Sequence, residues 1–298
     1  MKNILFEGVY SATFSIYDKN MNIIRDSVKR LIDFNTKNGI KGFYVGGGTG
    51  ECTVLPNETR KQMLEAVKEF APSDAKIIAH IGAGHLEDTE DLIYHANEIG
   101  VDAISSLPPA LTSYYNANET VEYYRHLAEL SDAPVIAYAT PVLTCDPVWF
   151  AKEIMSFDNV IGLKVSIRDY YAFEKLKNVN GGDINILNGP DECMMAGLAM
   201  GADGAIGTTY NLLPKTSTAI YDNFKKNNID EARKYQKHMN RLIDRLLGNN
   251  LAYWKVPLQL LGIDTGYTVA PAKMPTDEEI KTLLKDLKDM GYAEELKL

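Results

Sequence analysis

The stretch Val160-Ile-Gly-Leu-Lys-Val-Ser166 decides how the chain is read. It is short, apolar and rich in β-branched residues, the composition of a strand buried on both faces, yet it holds one lysine. Similar runs begin near Gly8 (GVYSATFSI), Gly42 (GFYVGG), Lys76 (KIIAHIG), Ala103 (AISSLP), Val135 (VIAYAT), Ile184 (INILNG) and Gly204 (GAIGTT). Together they recur about every 28 residues. A strand, a crossover helix and two loops need roughly 30 residues, so each interval holds one β–α unit. The intervals carry helical spacing. Met63, Leu64, Val67 and Phe70 share one face, and Val28, Leu31, Ile32 and Asn35 repeat the pattern less cleanly. Gly39 and Gly100 stand just before strands, where a helix exit needs a positive φ.

Eight such units close into a (β/α)8 barrel, the TIM barrel of the α/β class. An open doubly wound sheet is the competing arrangement. Its GxGxxG should follow the first strand, where the chain reads Ser11-Ala-Thr-Phe-Ser-Ile-Tyr17, without glycine. The barrel is expected over residues 1–227, its last helix running from Pro214 to near Asn227. Residues 228–298 read as a C-terminal helical extension, with stripes at Ala232, Tyr235, Met239, Leu242, Ile243 and Leu246 and at Ile280, Leu283, Leu284 and Leu287. No linker or low-complexity tract intervenes, so residues 1–298 read as a single domain.

Composition narrows the function. The 298 residues are 45% hydrophobic and 24% charged, an ordinary globular balance. Lys and Arg number 31 against 40 Asp and Glu, a net charge of −9, and no basic stripe is present. Nucleic acid is therefore not an expected partner. No apolar run reaches the ~18 residues of a membrane span, and Glu7 interrupts the start of the chain where a secretory signal would be apolar. Cys52, Cys145 and Cys193 are far apart, with no CxxC pair. That suits a reducing cytoplasm, and small buried thiols account for them. The five histidines, His80, His85, His95, His126 and His238, show no metal-ligand spacing, so no metal is expected.

In a parallel barrel, chemistry gathers at the C-terminal ends of the strands. Alternation along the Val160 run places Val160, Gly162 and Lys164 on one face and Ile161, Leu163 and Val165 on the other. The second set suits the helix-facing side, so Lys164 points into the barrel. Desolvation there lowers an amine's pKa, and a free amine attacks a ketone to form a Schiff base. The bland alternative is a lysine extending to solvent at a strand end, as Lys41 and Lys76 do at strand starts. Tyr138, in Val135-Ile-Ala-Tyr-Ala-Thr-Pro141, ends the preceding strand and can meet Lys164 as a proton relay, or else is a core tyrosine. Gly46-Gly-Gly-Thr-Gly-Glu51 is not a P-loop, since no Lys-Ser/Thr follows. Its N–H groups and the Thr49 hydroxyl can hold a carboxylate, or it is a plain glycine turn. Asn188-Gly-Pro-Asp-Glu192 brings two acids to the mouth. They can accept hydrogen bonds from a polyol, or Asp191 can cap a helix.

Taken together, these segments resemble the class I pyruvate-dependent aldolase family that contains N-acetylneuraminate lyase and dihydrodipicolinate synthase. Gly47-Gly-Thr-Gly-Glu51 matches its G-[ST]-T-G-E loop, and Tyr138-Ala-Thr-Pro141 its Y-N-x-P. Gly162-Leu-Lys164 matches G-[LIV]-K, and Gly201-Ala-Asp-Gly-Ala-Ile-Gly207 matches G-A-[DE]-G-x-I-[GS]. The order and spacing hold across nearly the whole chain. Asn188-Gly-Pro-Asp-Glu192 and Gly207-Thr-Thr-Tyr-Asn211 are similar to the sialate-cleaving branch. The synthases carry a carboxylate-binding arginine where Leu143 stands here.

The resemblance implies a metal-free, cofactor-free lyase acting on a sugar acid and releasing pyruvate. The alternative is another pyruvate-dependent aldolase or dehydratase acting on a different sugar acid or keto acid. It implies that Gly48 and Thr49 hold the substrate carboxylate, Lys164 forms the imine and Tyr138 moves the proton. Ser166, Gly189, Asp191, Glu192 and Thr208 contact the sugar tail. A homotetramer is implied too. Three positions depart from the family: Gly48 replaces a hydroxyl residue, Ala139 an asparagine and Leu111 a tyrosine. Tyr114 or Tyr115 is the substitute expected for the last.

Overall fold

A computed structural model describes residues 5–109 and 115–296. Eight parallel strands close a barrel in sequence order, the first pairing with the last. They are β1 (Gly8–Ala12), β2 (Gly42–Val45), β3 (Lys76–His80), β4 (Ala103–Ser106), β5 (Val135–Ala139), β6 (Val160–Val165), β7 (Asn185–Asn188) and β8 (Gly204–Gly207). The helices between them are α1 (Arg25–Lys37), α2 (Asn57–Phe70), α3 (Leu86–Ile99), α4 (Ala117–Leu130), α5 (Pro147–Ile154), α6 (Tyr170–Lys177) and α7 (Met194–Ala199). The barrel is the one read from the repeating units, and strand starts agree to within a residue.

Alternation divides the strand residues between two cores. Tyr10, Ala12, Tyr44, Ile78, Ala103, Ile136, Leu187 and Ile206 fill the barrel interior. Val9, Phe43, Val45, Ile77, Leu163 and Val165 pack outward against the helices. The helices meet them with the expected faces, for Val28, Leu31, Ile32 and Asn35 are all buried. At the end of α3, Gly100 takes φ 68 and its N–H caps the carbonyls of Ala96 and Asn97.

One face assignment is corrected. Val160 packs in the outer core and Ile161 against the inner cluster, the reverse of simple alternation. The cause is a register shift: Val135 pairs with Val160, but Ile136 pairs with Gly162. One extra residue on β6 turns the faces over at that point. From Gly162 onward the expected alternation holds, so Lys164 still points inward. Gly162 is also required sterically, since a Cβ there would lie 1.9 Å from the Asn185 carbonyl oxygen.

The last barrel helix, α8, spans Pro214–Lys225 and stops short of Asn227, which adopts a left-handed φ of 62. The extension follows as α9 (Ile229–Leu246), α10 (Leu251–Lys255), α11 (Asp277–Asp289) and α12 (Tyr292–Glu295). Met239, Leu242, Leu246, Leu283, Leu287 and Tyr292 are buried in the same outer core as the barrel helices. Among the described residues, no helix is long and apolar enough to cross a membrane. All three cysteines are free. Cys52 is buried as expected, whereas Cys145, on the loop before α5, and Cys193, at the 3-10 turn before α7, are only partly so.

Candidate active site

The central residue is Lys164. Its side chain is 6% exposed, and its Nζ stands 4.1 Å from the centre of the Tyr44 ring and 4.5 Å from that of Tyr138. Among the described residues it has no hydrogen bond or salt bridge. Two aromatic faces hold the ammonium through their quadrupoles, a weaker tie to the charged form than a carboxylate would make. Burial pushes the Tyr44 phenol well above its ordinary pKa, so that ring stays neutral. Its hydroxyl donates to Ser105 Oγ at 3.1 Å. Tyr44 was not singled out from the sequence. Its place on the inward-facing parity of β2 was the available signal.

Tyr138 is the direct register partner of Lys164 across β5 and β6. Its hydroxyl lies 3.1 Å from Ser166 Oγ, where either oxygen can donate. The expected pairing of phenol and amine is therefore present, and Ser166 joins it. Gly189 lies so close that an added Cβ would sit 1.9 Å from Ser166 Oγ, which fixes where the β7 loop passes.

The glycine loop approaches from β2. Thr49 Oγ1 and Thr208 Oγ1 are 2.6 Å apart, linking the loop to the end of β8. The N–H groups of Gly48 and Thr49 have no partner among the described residues, so both are available to an anion. Gly48 is exposed, and a Cβ on it would meet nothing within 4 Å. The loop tolerates a side chain there and simply lacks one.

Asp191 begins a short 3-10 turn, Asp191–Cys193, and its side chain does not cap that turn. Its Oδ2 accepts the Thr209 N–H at 2.6 Å, tying the β7 loop to the β8 loop. Burial raises its pKa from 3.8 to about 6, against the pull of the Thr209 hydrogen bonds and with Glu192 adding to the rise. Glu192 is held by Arg168, whose Nε and Nη2 both donate to Oε1 and leave Oε2 open. Arg168 too was missed from the sequence, since an exposed arginine just beyond a strand carries no distinctive pattern.

The extension supports this loop from behind. Gln236 Nε2 donates to the Asp191 carbonyl at 3.0 Å, and Asn240 Nδ2 to that of Glu192 at 3.1 Å. A cavity of about 720 Å³ opens here, lined by Ser166, Gly189, Asp191, Glu192 and Thr208 on the barrel side. Ile243, Leu247, Leu251 and Trp254 of the extension form an apolar wall opposite. Polar acceptors facing an apolar wall suit a polyol with one less polar substituent. Ser166 and Thr208 connect the cavity to the Tyr138–Lys164 pair and the glycine loop.

Leu143 packs against the outer core, so its position offers no charge to a carboxylate. Tyr115 is described and is 47% exposed. Leu111 and Tyr114 lie outside the described residues.

Comparison with known proteins agrees with this geometry. Residues 5–290 match the dihydrodipicolinate synthetase family. The N-acetylneuraminate lyase of Rhizobium meliloti is 34% identical over 281 residues, which span 93% of this chain and 93% of that protein. The N-acetylneuraminate lyase of Lactiplantibacillus plantarum is 31% identical over 276 residues, 91% of this chain and 93% of that one. A catalytic lysine mutant of Ruminococcus gnavus sialic acid aldolase superposes with a TM-score of 0.91 at 29% identity, covering 99% of each chain.

Proposed function

Because the chain belongs to the dihydrodipicolinate synthetase family, we propose that it is a Schiff-base lyase cleaving N-acetylneuraminate to pyruvate and N-acetylmannosamine. The observation that carries this reading is the Lys164 amine. It is buried between two tyrosine rings, without a carboxylate partner among the described residues, beside a cavity lined by sugar-binding groups.

The substrate carboxylate is held by the free N–H groups of Gly48 and Thr49 and by the Thr49 hydroxyl. Lys164 adds to the C2 ketone and loses water to form the imine. Tyr138 takes the proton from the C4 hydroxyl as the C3–C4 bond breaks, and the electron pair flows into the protonated imine. The resulting enamine is protonated at C3, and hydrolysis releases pyruvate and regenerates the amine. The imine is the electron sink, so the cleavage needs no metal. Ser166, Gly189, Asp191, Glu192 and Thr208 hold the sugar tail, and the apolar wall receives its acyl group.

We read the barrel and the extension, 1–298, as one functional unit and the protein as a cytoplasmic homotetramer. Sedimentation velocity tests the assembly. The chemistry is tested by borohydride reduction with pyruvate and peptide mass mapping, together with a pyruvate-release assay on N-acetylneuraminate. An adduct on Lys164 and release above background support the reading. An adduct elsewhere, or no release, overturns it.

A further inference from the structure

Lys255 of α10 and Glu51 of the glycine loop form an ion pair in which the side chains are 2% and 6% exposed. Lys255 Nζ lies 3.4 Å from Glu51 Oε2 and also donates to the carbonyls of Ser15 and Tyr267, both at 3.1 Å. Glu51 Oε1 accepts from the Tyr17 hydroxyl at 3.0 Å and from Thr268 Oγ1 at 3.4 Å. The Tyr17 ring also stands 5.0 Å from Lys255 Nζ. Three distant segments thus converge: the exit of β1, the loop after β2 and the extension.

Stability alone does not account for this cluster. Desolvating two ions commonly costs as much as their attraction returns, and an apolar pair of similar size would serve as well. Glu51 also adopts φ 62, a left-handed backbone that an L-residue other than glycine, asparagine or aspartate seldom takes. Such strain persists only where surrounding contacts over-determine it, and it gathers at functional sites. Here the contacts are those of the carboxylate. The strained residue is two positions beyond Thr49. The turn it closes is pinned at Gly47, Gly48 and Gly50, whose carbonyls accept from Cys52 N, Glu51 N and Ser15 Oγ. The N–H groups of Gly48 and Thr49 are among those the turn leaves without a partner among the described residues.

We propose that Glu51 and Lys255 are positioning residues for carboxylate recognition, so that the C-terminal extension sets the geometry of the loop that grips the keto acid. This rests on the lyase reading above. With the pair in place, the left-handed turn presents two adjacent N–H groups outward to one anion. Without it, the turn relaxes and the grip loosens, while Lys164 and Tyr138, held by β5 and β6, keep their places.

The test compares wild type with Lys255→Met, with Lys255→Met combined with Glu51→Gln, and with Tyr17→Phe. The readouts are half-saturating pyruvate in borohydride trapping, KM and kcat on N-acetylneuraminate, and melting temperature. In Lys255→Met, KM and half-saturating pyruvate rise about tenfold while kcat falls less than about threefold. In the combined variant no charge is left unpaired, so melting recovers toward wild type. KM stays raised, because the ties from Lys255 to Glu51 and to the Ser15 carbonyl are still cut. Tyr17→Phe removes one hydrogen bond and keeps both charges, and shifts half-saturation in the same direction by a smaller factor. If Lys255→Met fails to fold, the other two decide. Folded variants that saturate like wild type overturn the proposal, as does KM recovering in step with melting in the combined variant. Absence of trapping in wild type would instead overturn the lyase reading itself.

Discussion

Tyr138 and Lys164 are register partners on adjacent parallel strands, with the amine 4.5 Å from the centre of the phenol ring. Their relation is set by strand pairing rather than by a loop, so the phenol and the amine are held by rigid elements. The two roles should separate. Lys164→Ala abolishes both trapping and cleavage. Tyr138→Phe still traps pyruvate on Lys164 but loses roughly 10²–10⁴-fold in kcat, the usual worth of a positioned proton carrier. A Tyr138→Phe enzyme with near-normal kcat would remove the phenol from the mechanism.

Asp191 makes the site sensitive to pH. Its pKa is raised from 3.8 to about 6 chiefly by burial, so ionising it works against the fold. The stability it contributes is complete below about 3.8 and is lost as pH rises through about 6. Asp191→Asn should therefore melt higher than wild type above pH 6, with the difference vanishing in more acidic buffer. On the proposed lyase reading, function should run the other way, because the ionised carboxylate would accept the sugar hydroxyls. KM for N-acetylneuraminate rises as pH falls through about 6, while half-saturating pyruvate stays level. Asp191→Ala weakens sialate cleavage at neutral pH and leaves trapping intact. Steady-state kinetics across the raised pKa, and melts carried from neutral pH to below about 3.8, check all of these.

Two glycines of the site should respond in opposite ways to an added side chain. Gly48→Ser places its Cβ in open space, so melting is unchanged within the effect of an ordinary surface substitution, about 0.5 kcal/mol. Gly189→Ala drives a methyl into Ser166 Oγ and the Val165 carbonyl. It displaces the serine from Tyr138, lowers kcat and raises KM for the sugar acid. Equal behaviour of the two variants would contradict the packing at Gly189.

Arg168 is 74% exposed at the side chain, and its bond to Glu192 contributes little to the fold, at most about 1 kcal/mol. On the proposed lyase reading, its effect should fall on binding. Arg168→Ala leaves melting nearly unchanged but frees the Glu192 carboxylate to rotate, and KM for N-acetylneuraminate rises severalfold with pyruvate trapping unaffected. Calorimetry and kinetics on one preparation separate the two effects.

The barrel was legible because its signals are local and repeated: strand runs at even spacing, helical stripes, glycines at helix exits. Lys164 stood out because a lysine inside an apolar strand is costly without a purpose. The face inversion at Val160 and Ile161 was not legible, since a bulge depends on the neighbouring strand and leaves no mark on period-two alternation. Asp191 was visible as an acid at the mouth, but its bond to Thr209 N joins residues from different loops. Tyr44 could be read as inward-facing on β2, but its place beside the Lys164 amine depends on a strand far away in the sequence. Lys255 was hardest to find, because a lysine at the end of a short helix ordinarily reaches solvent. Only the assembled fold brings it to Glu51.

The bond from Lys255 to Ser15 joins residues 240 positions apart. Contacts of such range form late, after the entropy of closing a long loop has been overcome. During synthesis the eight strands can leave the ribosome and pair before residue 255 emerges. A nascent barrel at that stage can hold Lys164 on β6 but lacks the Lys255 contacts to Ser15 and Glu51. On the positioning proposal above, a barrel that folds without residue 255 should therefore bind keto acids more weakly than one on which the extension has docked.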